Sequence, residues 1–203
     1  MSSSRPPRVA FQGEQGAFSE DAALKLLGPE IQLVPRHTFE TLFTSLDEGL
    51  AEYVLVPVEN SLIGTIQPAV DLLNRSSLGI VAEVAIPIRQ FLIGCPGAVF
   101  EGIVAVESHP AALAQCRRFF AAHPRIEKVE TEDTAGSVAR IVQGRDPTRA
   151  AIAGRRAAEV YGGSILKENL EDSPDNQTRF LLLSGQDKSN GLQFEKFKFE
   201  SNQ

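Results

Sequence analysis

The chain has 203 residues, 42% hydrophobic and 23% charged, with a formal net charge of −6. This composition suits one large globular domain or two small lobes, and it excludes a fibre or a disordered chain. The acidic balance argues against nucleic acid, and no apolar run nears the ~20 residues of a membrane span.

The first element is a strand at Arg8-Val9-Ala10-Phe11, followed by a glycine-bearing loop from Gln12 to Ser19. Ser19 is placed to cap a helix with Ala22, Ala23, Leu26 and Leu27 on its apolar face, ended by Gly28-Pro29. Strand, glycine turn and helix start together make a candidate anion site. Ile31–Pro35 reads as the next strand, and Thr38 as the cap of a helix burying Phe39, Leu42, Phe43, Leu46 and Leu50. Tyr53–Val58 is a near-continuous apolar run, expected for a strand covered on both faces, and it delivers Glu59, Asn60 and Ser61 at its carboxyl end, with Gly64-Thr65 close behind. Polar groups at such a point are where α/β sheets bind ligands.

Residues 78–93 are too long for one strand, and Pro87 cannot donate mid-sheet, so the chain is expected to leave a first lobe there and enter a second. After a turn at Cys95-Pro96-Gly97 come a strand at Ile103–Val106 and a helix from about His109 to Ala122, with Ser108 as its cap and Pro110 in its first turn. His109 at the helix start is read as structural, not as a base. A strand at Ile126–Glu130, a helix capped by Thr134, and a small-residue strand through Ala153 into Gly154 follow. The acidic loop holding Glu168, Glu171, Asp172 and Asp175 is expected to face solvent. It leads to Asp175-Asn176-Gln177-Thr178-Arg179-Phe180 and a buried strand ending at Ser184-Gly185. A hydroxyl beside a guanidinium at a strand mouth suits an anionic ligand. Arg179 has two open fates, a substrate carboxylate or an internal pairing with Glu59 or Asp175.

Five segments, in this order, carry a resemblance: Gly13-Glu14-Gln15-Gly16-Ala17-Phe18-Ser19, Val56-Pro57-Val58-Glu59-Asn60-Ser61, Ser108-His109-Pro110, Asp133-Thr134-Ala135-Gly136 and Asn176-Gln177-Thr178-Arg179-Phe180. Together they resemble the prephenate dehydratase family over roughly residues 8 to 184. The resemblance implies an α/β fold of two lobes with mostly parallel sheets, similar to type II periplasmic binding proteins, with the active site in the interlobe cleft. Lobe 1 is expected at 8–84 plus 179–203 and lobe 2 at 85–178. The implied activity is a hydro-lyase reaction, the decarboxylating dehydration of prephenate to phenylpyruvate in phenylalanine biosynthesis. Arogenate dehydration and a non-catalytic two-lobe sensor are the alternatives.

By the same resemblance Thr178 donates to the leaving hydroxyl, with Asn60 and Gln115 in support. Glu59, Ser61, Gly64, Thr65, Ser108, Thr134, Ala153, Arg179 and Phe180 are the expected substrate-binding positions. Ala111 stands where many members have Gln. No cofactor or metal is expected, since His37, His109 and His123 show no ligand spacing. Two cysteines, Cys95 and Cys116, make no disulfide framework, and residues 1–8 carry charge without a signal peptide's apolar core, so a cytoplasmic protein is expected. A homo-oligomer is expected as well. The short stretch after Ser184 is expected to hold one strand at Leu192, Phe194, Phe197 and Phe199 and no phenylalanine-sensing ACT domain.

Overall fold

The computed structural model describes residues 5–185, so the Phe-rich segment at 192–199 lies outside the described residues. In chain order the elements are β1 (Arg8–Gln12), α1 (Phe18–Leu27), β2 (Gln32–Arg36), α2 (Phe39–Thr44), β3 (Tyr53–Asn60), β4 (Gly64–Thr65), α3 (Gln67–Arg75), β5 (Gly79–Pro87), β6 (Phe91–Gly94), β7 (Ala105–Ser108), α4 (Pro110–Ala114), α5 (Arg117–Ala122), β8 (Glu127–Glu130), α6 (Ala135–Gly144), β9 (Arg149–Ala153), α7 (Arg155–Tyr161), β10 (Ser164–Lys167) and β11 (Gln177–Ser184). Two compact units form, one from residues 5–12, 22–86 and 178–185, the other from 13–21 and 87–177. Residues 13–21, kept in lobe 1 by the sequence reading, join the second unit. There Gly16 packs on Ala157, and Glu20 pairs with Arg156.

The first unit holds a sheet in the order β2-β1-β3-β11-β5, with β4 paired to β3. β1 runs parallel to β2 and β3, whereas β11 and β4 run antiparallel to β3. One face is built by the period-2 alternation of β3 and β11. Val54, Val56, Val58, Leu181 and Leu183 pack with Leu42 and Ala69 of the helices. Thr38 caps α2 with a reciprocal Thr41 bond, as its sequence position predicts. The helix stops at Thr44, however, so Leu50 falls beyond it and is exposed.

The second unit holds a sheet in the order β10-β6-β9-β7-β8. β7 is parallel to β8 and β9, and β6 is antiparallel to β9 and β10. Alternate residues feed two cores. Ala151 and Ala153 join Phe91 and Ile93 on one face, while Ala150 and Ile152 join Leu92 and Val106 on the other. The α/β class stands, but the sheets are mixed rather than mostly parallel. In the first sheet β11, which starts after a crossover, and β4 run against β3, and in the second β6, which also follows a crossover, runs against β9 and β10. Those crossovers are bonded within the second unit, Ile88 N donating to Asn176 O at 2.8 Å.

Candidate active site

In the first unit the turn after β3 and the start of β11 meet in register, with Asn60 opposite Thr178 and Glu59 opposite Arg179. Asn60 is buried, and its Oδ1 accepts from the amides of Leu62 and Ile63 at 3.0 and 3.2 Å. That local turn fixes which end of the amide faces outward. The other end, Nδ2, donates to Thr178 Oγ1 at 2.9 Å. A hydroxyl that accepts from an amide has its own proton left to give, so Thr178 is set up as a donor.

Gly64, at φ +85°, closes the same hairpin and sets Thr65 opposite Glu59. Ser61, Gly64 and Thr65 are exposed at its tip, beside Leu62 and Ile63. Arg179 takes the internal fate. It lies 3.2 Å from Glu59 and 3.5 Å from Glu83, a second carboxylate that the sequence reading did not name. Phe180, expected at the substrate, lies opposite Pro57 and is buried in the core at 2% exposure.

In the second unit the expected helix from His109 to Ala122 is two helices, broken at Gln115-Cys116. The acidic loop makes the break, and so it does not simply face solvent. Asp172 N donates to Gln115 O at 2.6 Å, and the Asp172 carboxylate accepts from the amides of Arg117 and Arg118 at 3.0 and 2.9 Å. Burial works to raise the pKa of Asp172, but these amides and the Arg117 guanidinium win and hold it below the usual carboxylate value. Glu171, 7% exposed, accepts from Gln90 N and pairs with Arg89, while Glu168 pairs with Arg155. Arginines thus neutralise three of the loop's carboxylates. Beside the break, burial first, then Asp172 and Glu171, push the Cys116 thiol up to about 12.

Gln115 is half-buried, and its Oε1 accepts from Nδ2 of Asn176, a fully buried side chain, at 2.8 Å. Three expected caps need correction. Ser19 lies inside α1, whose Glu20 reaches back to Gly16 N at 2.8 Å. That carboxylate, itself held by Arg156 at 2.9 Å, occupies the glycine turn proposed for an anion. Ser108 ends β7 and gives its hydroxyl to Ile152 O at 2.6 Å, leaving His109 Nδ1 to cap α4 through Ala111 N. Thr134 makes no side-chain cap of α6, because Asp133 Oδ1 takes the amide of Gly136. A Cβ at position 136 would lie 2.5 Å from that carboxylate, which accounts for the glycine. Ala153 is wholly buried, and at the neighbouring Gly154 the ring of Phe18 lies 3.0 Å from where a Cβ would sit.

Asn176, Asp133, Asp172 and Glu83 were therefore missed as organising residues. Asn176 and Asp133 stood inside quoted motifs, and an Asp two residues ahead of a helix is itself a cap signal. Asp172 and Glu83 act over long sequence separations and carry no local pattern.

The model of the prephenate dehydratase family matches residues 9–188. The chain belongs to the prephenate dehydratase family. Arogenate dehydratase/prephenate dehydratase 1, chloroplastic, of Arabidopsis thaliana is 41% identical over 177 residues, covering 87% of this chain and 45% of that protein. The bifunctional chorismate mutase/prephenate dehydratase of Neisseria gonorrhoeae is 36% identical over 193 residues, 91% of this chain and 53% of that protein. The chain thus spans about half the length of the curated relatives it matches. Among solved structures, a prephenate dehydratase from Arthrobacter aurescens in complex with L-Phe superposes with a TM-score of 0.81 at 30% identity, covering 94% of this chain and 63% of that one. For a prephenate dehydratase family member, the signature run Asn176–Phe180 now has distinct duties: Thr178 is a poised hydroxyl, Arg179 an engaged cation and Phe180 core.

Proposed function

We propose that the chain catalyses the decarboxylating dehydration of prephenate to phenylpyruvate, with Thr178 as hydrogen-bond donor to the departing hydroxyl. The observation that carries this is the Asn60–Thr178 bond. A threonine is a poor acid at ordinary pKa, so its use lies in fixed aim at an oxygen that gains negative charge as it leaves. As the bond from the ring to its carboxylate breaks, its electron pair enters the ring. The carboxylate departs as CO2, the C–O bond on the opposite carbon breaks, and the leaving hydroxide, held by the Thr178 hydroxyl, takes a proton from solvent to become water. Aromaticity drives the step, so the protein's work is to hold the dianion and serve the leaving group. Gln115, whose Nε2 is turned away from Asn176, is assigned to substrate binding.

Arogenate is the second reading, favoured by the names and identity of the plant relatives. Supplying each substrate to the purified protein and following phenylpyruvate and phenylalanine separates the two. Tight binding of both with turnover of neither would sink the enzyme reading and leave a sensor. We place the reaction in the cytoplasm, a compartment that suits two free, buried thiols, and expect self-association through exposed apolar groups such as Ile63 and Ile80. Among the described residues no helix is long and apolar enough to cross a membrane.

A further inference from the structure

We infer that Asn176 is a positioning residue that sets which end of the Gln115 amide is presented for binding, an inference that rests on the dehydratase reading above. Asn176 is wholly buried, and its backbone carbonyl is anchored by Ile88 N at 2.8 Å. Its Nδ2 donates to Gln115 Oε1 at 2.8 Å. An amide has an acceptor end and a donor end, and rotating it by half a turn exchanges them at little cost unless something holds it. With Oε1 taken by a buried donor, Gln115 offers its Nε2–H pair, which suits an anionic or carbonyl oxygen of the substrate. Gln115 is also held at its base, since its carbonyl accepts from Asp172 N at 2.6 Å in the break between α4 and α5. The helix break therefore frees Gln115 from the regular ladder, and Asn176 supplies the orientation that the ladder does not.

The same device stands in the first unit, where buried Asn60 gives Nδ2 to Thr178 Oγ1. In each unit a buried asparagine spends one donor to define the hydrogen-bonding sense of a more functional neighbour. Asn176 precedes Thr178 by two residues, so one short run carries both the residue that aims Gln115 and the proposed donor.

The test is Asn176→Asp, which keeps the shape and removes the donor. Near neutral pH the introduced carboxylate accepts from Gln115 Nε2, turning the amide round, and kcat/KM for prephenate is expected to fall by ~10–10²-fold, as for a misaligned binding group. On acidification the introduced carboxyl, its pKa raised by burial, becomes a donor again. The loss should then shrink relative to the parent. In a Gln115→Ala background Asn176→Asp should change kcat/KM by less than about twofold, because the two act as one unit. A full loss persisting in that background, or a loss that ignores pH, overturns the proposal. Should Asn176→Asp not fold, Asn176→Ser takes its place in the Gln115→Ala cycle alone, where a full loss persisting in that background overturns the proposal, since a serine does not titrate. A reading independent of turnover comes from NMR: Gln115→Ala should shift the side-chain amide of Asn176 and speed its exchange by about tenfold. An unchanged resonance overturns the contact. A parent that turns over neither substrate, with this contact intact, would instead overturn the dehydratase reading alone.

Discussion

Asn60 holds Thr178 with a single directed bond, Nδ2 to Oγ1 at 2.9 Å, while its own carbonyl is locked by the turn it closes. Under the proposed function Asn60 acts on the reaction through that hydroxyl.

Thr178→Ala should lower kcat by on the order of 10²–10⁴ with KM little changed, the signature of a donor used mainly in the transition state. Thr178→Ser should keep far more activity. Asn60→Asp is the sharper variant, since a carboxylate there would accept the very proton Thr178 must give. Steady-state kinetics should place it nearer Thr178→Ala than Thr178→Ser, and parent-like kcat in Asn60→Asp would contradict the assigned aim.

Arg179 sits between Glu59 and Glu83, so its charge is largely answered within the protein. Glu83→Gln removes one of those charges and should lower KM for the dianionic substrate a few-fold, most clearly at low ionic strength. Arg179→Lys loses the fork that spans both carboxylates and should lower thermal stability as well as kcat/KM. A KM for Glu83→Gln that does not fall at any salt concentration would remove Arg179 from the substrate's field.

The Cys116 thiol, with a pKa raised to about 12, stays protonated at any working pH, and Cys95 is buried too. Ellman's reagent should label neither thiol in the native protein and both after denaturation. Rapid native labelling would mean that the α4–α5 break opens readily.

Burial, against the pull of Arg156 and with the push of Glu20 and Glu159, raises the pKa of Asp21 to about 6. The folded state thus favours its proton. Stability from this group is full below ~3.9 and is lost as pH rises to about 6. Asp172 has the opposite sign: its contribution is present above ~3.9 and is lost as pH falls through its lowered value. Urea midpoints should therefore peak in the mildly acidic range. Arg156→Met removes the cation from Asp21 and from the buried Glu20. It should cost about 1–3 kcal/mol, less than a fully buried pair because Arg156 is 34% exposed, and steepen the loss between pH 5 and 7.

The order of strands and helices was legible because apolar runs such as 53–58 and 180–183 admit only a buried strand, and Thr38 caps by rules confined to four residues. The helix break was not. Ala112, Leu113, Cys116, Phe119 and Phe120 keep helical spacing across it, and all are buried as expected, so periodicity alone reports one helix. What interrupts it is Asp172, more than fifty residues away. Likewise Thr178 was found from its motif, but its partner's role needed the β3–β11 register. Ser108 and Thr134 have cap residue types in cap positions, but neighbouring side chains, His109 and Asp133, take the amides. The shift that sets Phe180 opposite Pro57, with Val58 left out of the pairing, leaves no mark in the sequence.

The cap of α5 comes from Asp172, 55 and 54 positions beyond the Arg117 and Arg118 whose amides it accepts. During synthesis α5 emerges long before Asp172 exists, so its first turn has open amides until most of the second unit has been made. Such a helix start belongs to the last steps of folding. Asp172→Ala should accordingly hasten unfolding while leaving the folding rate nearly untouched, and a chain halted before residue 172 should show the amides of Arg117 and Arg118 exchanging freely beside an otherwise protected β7.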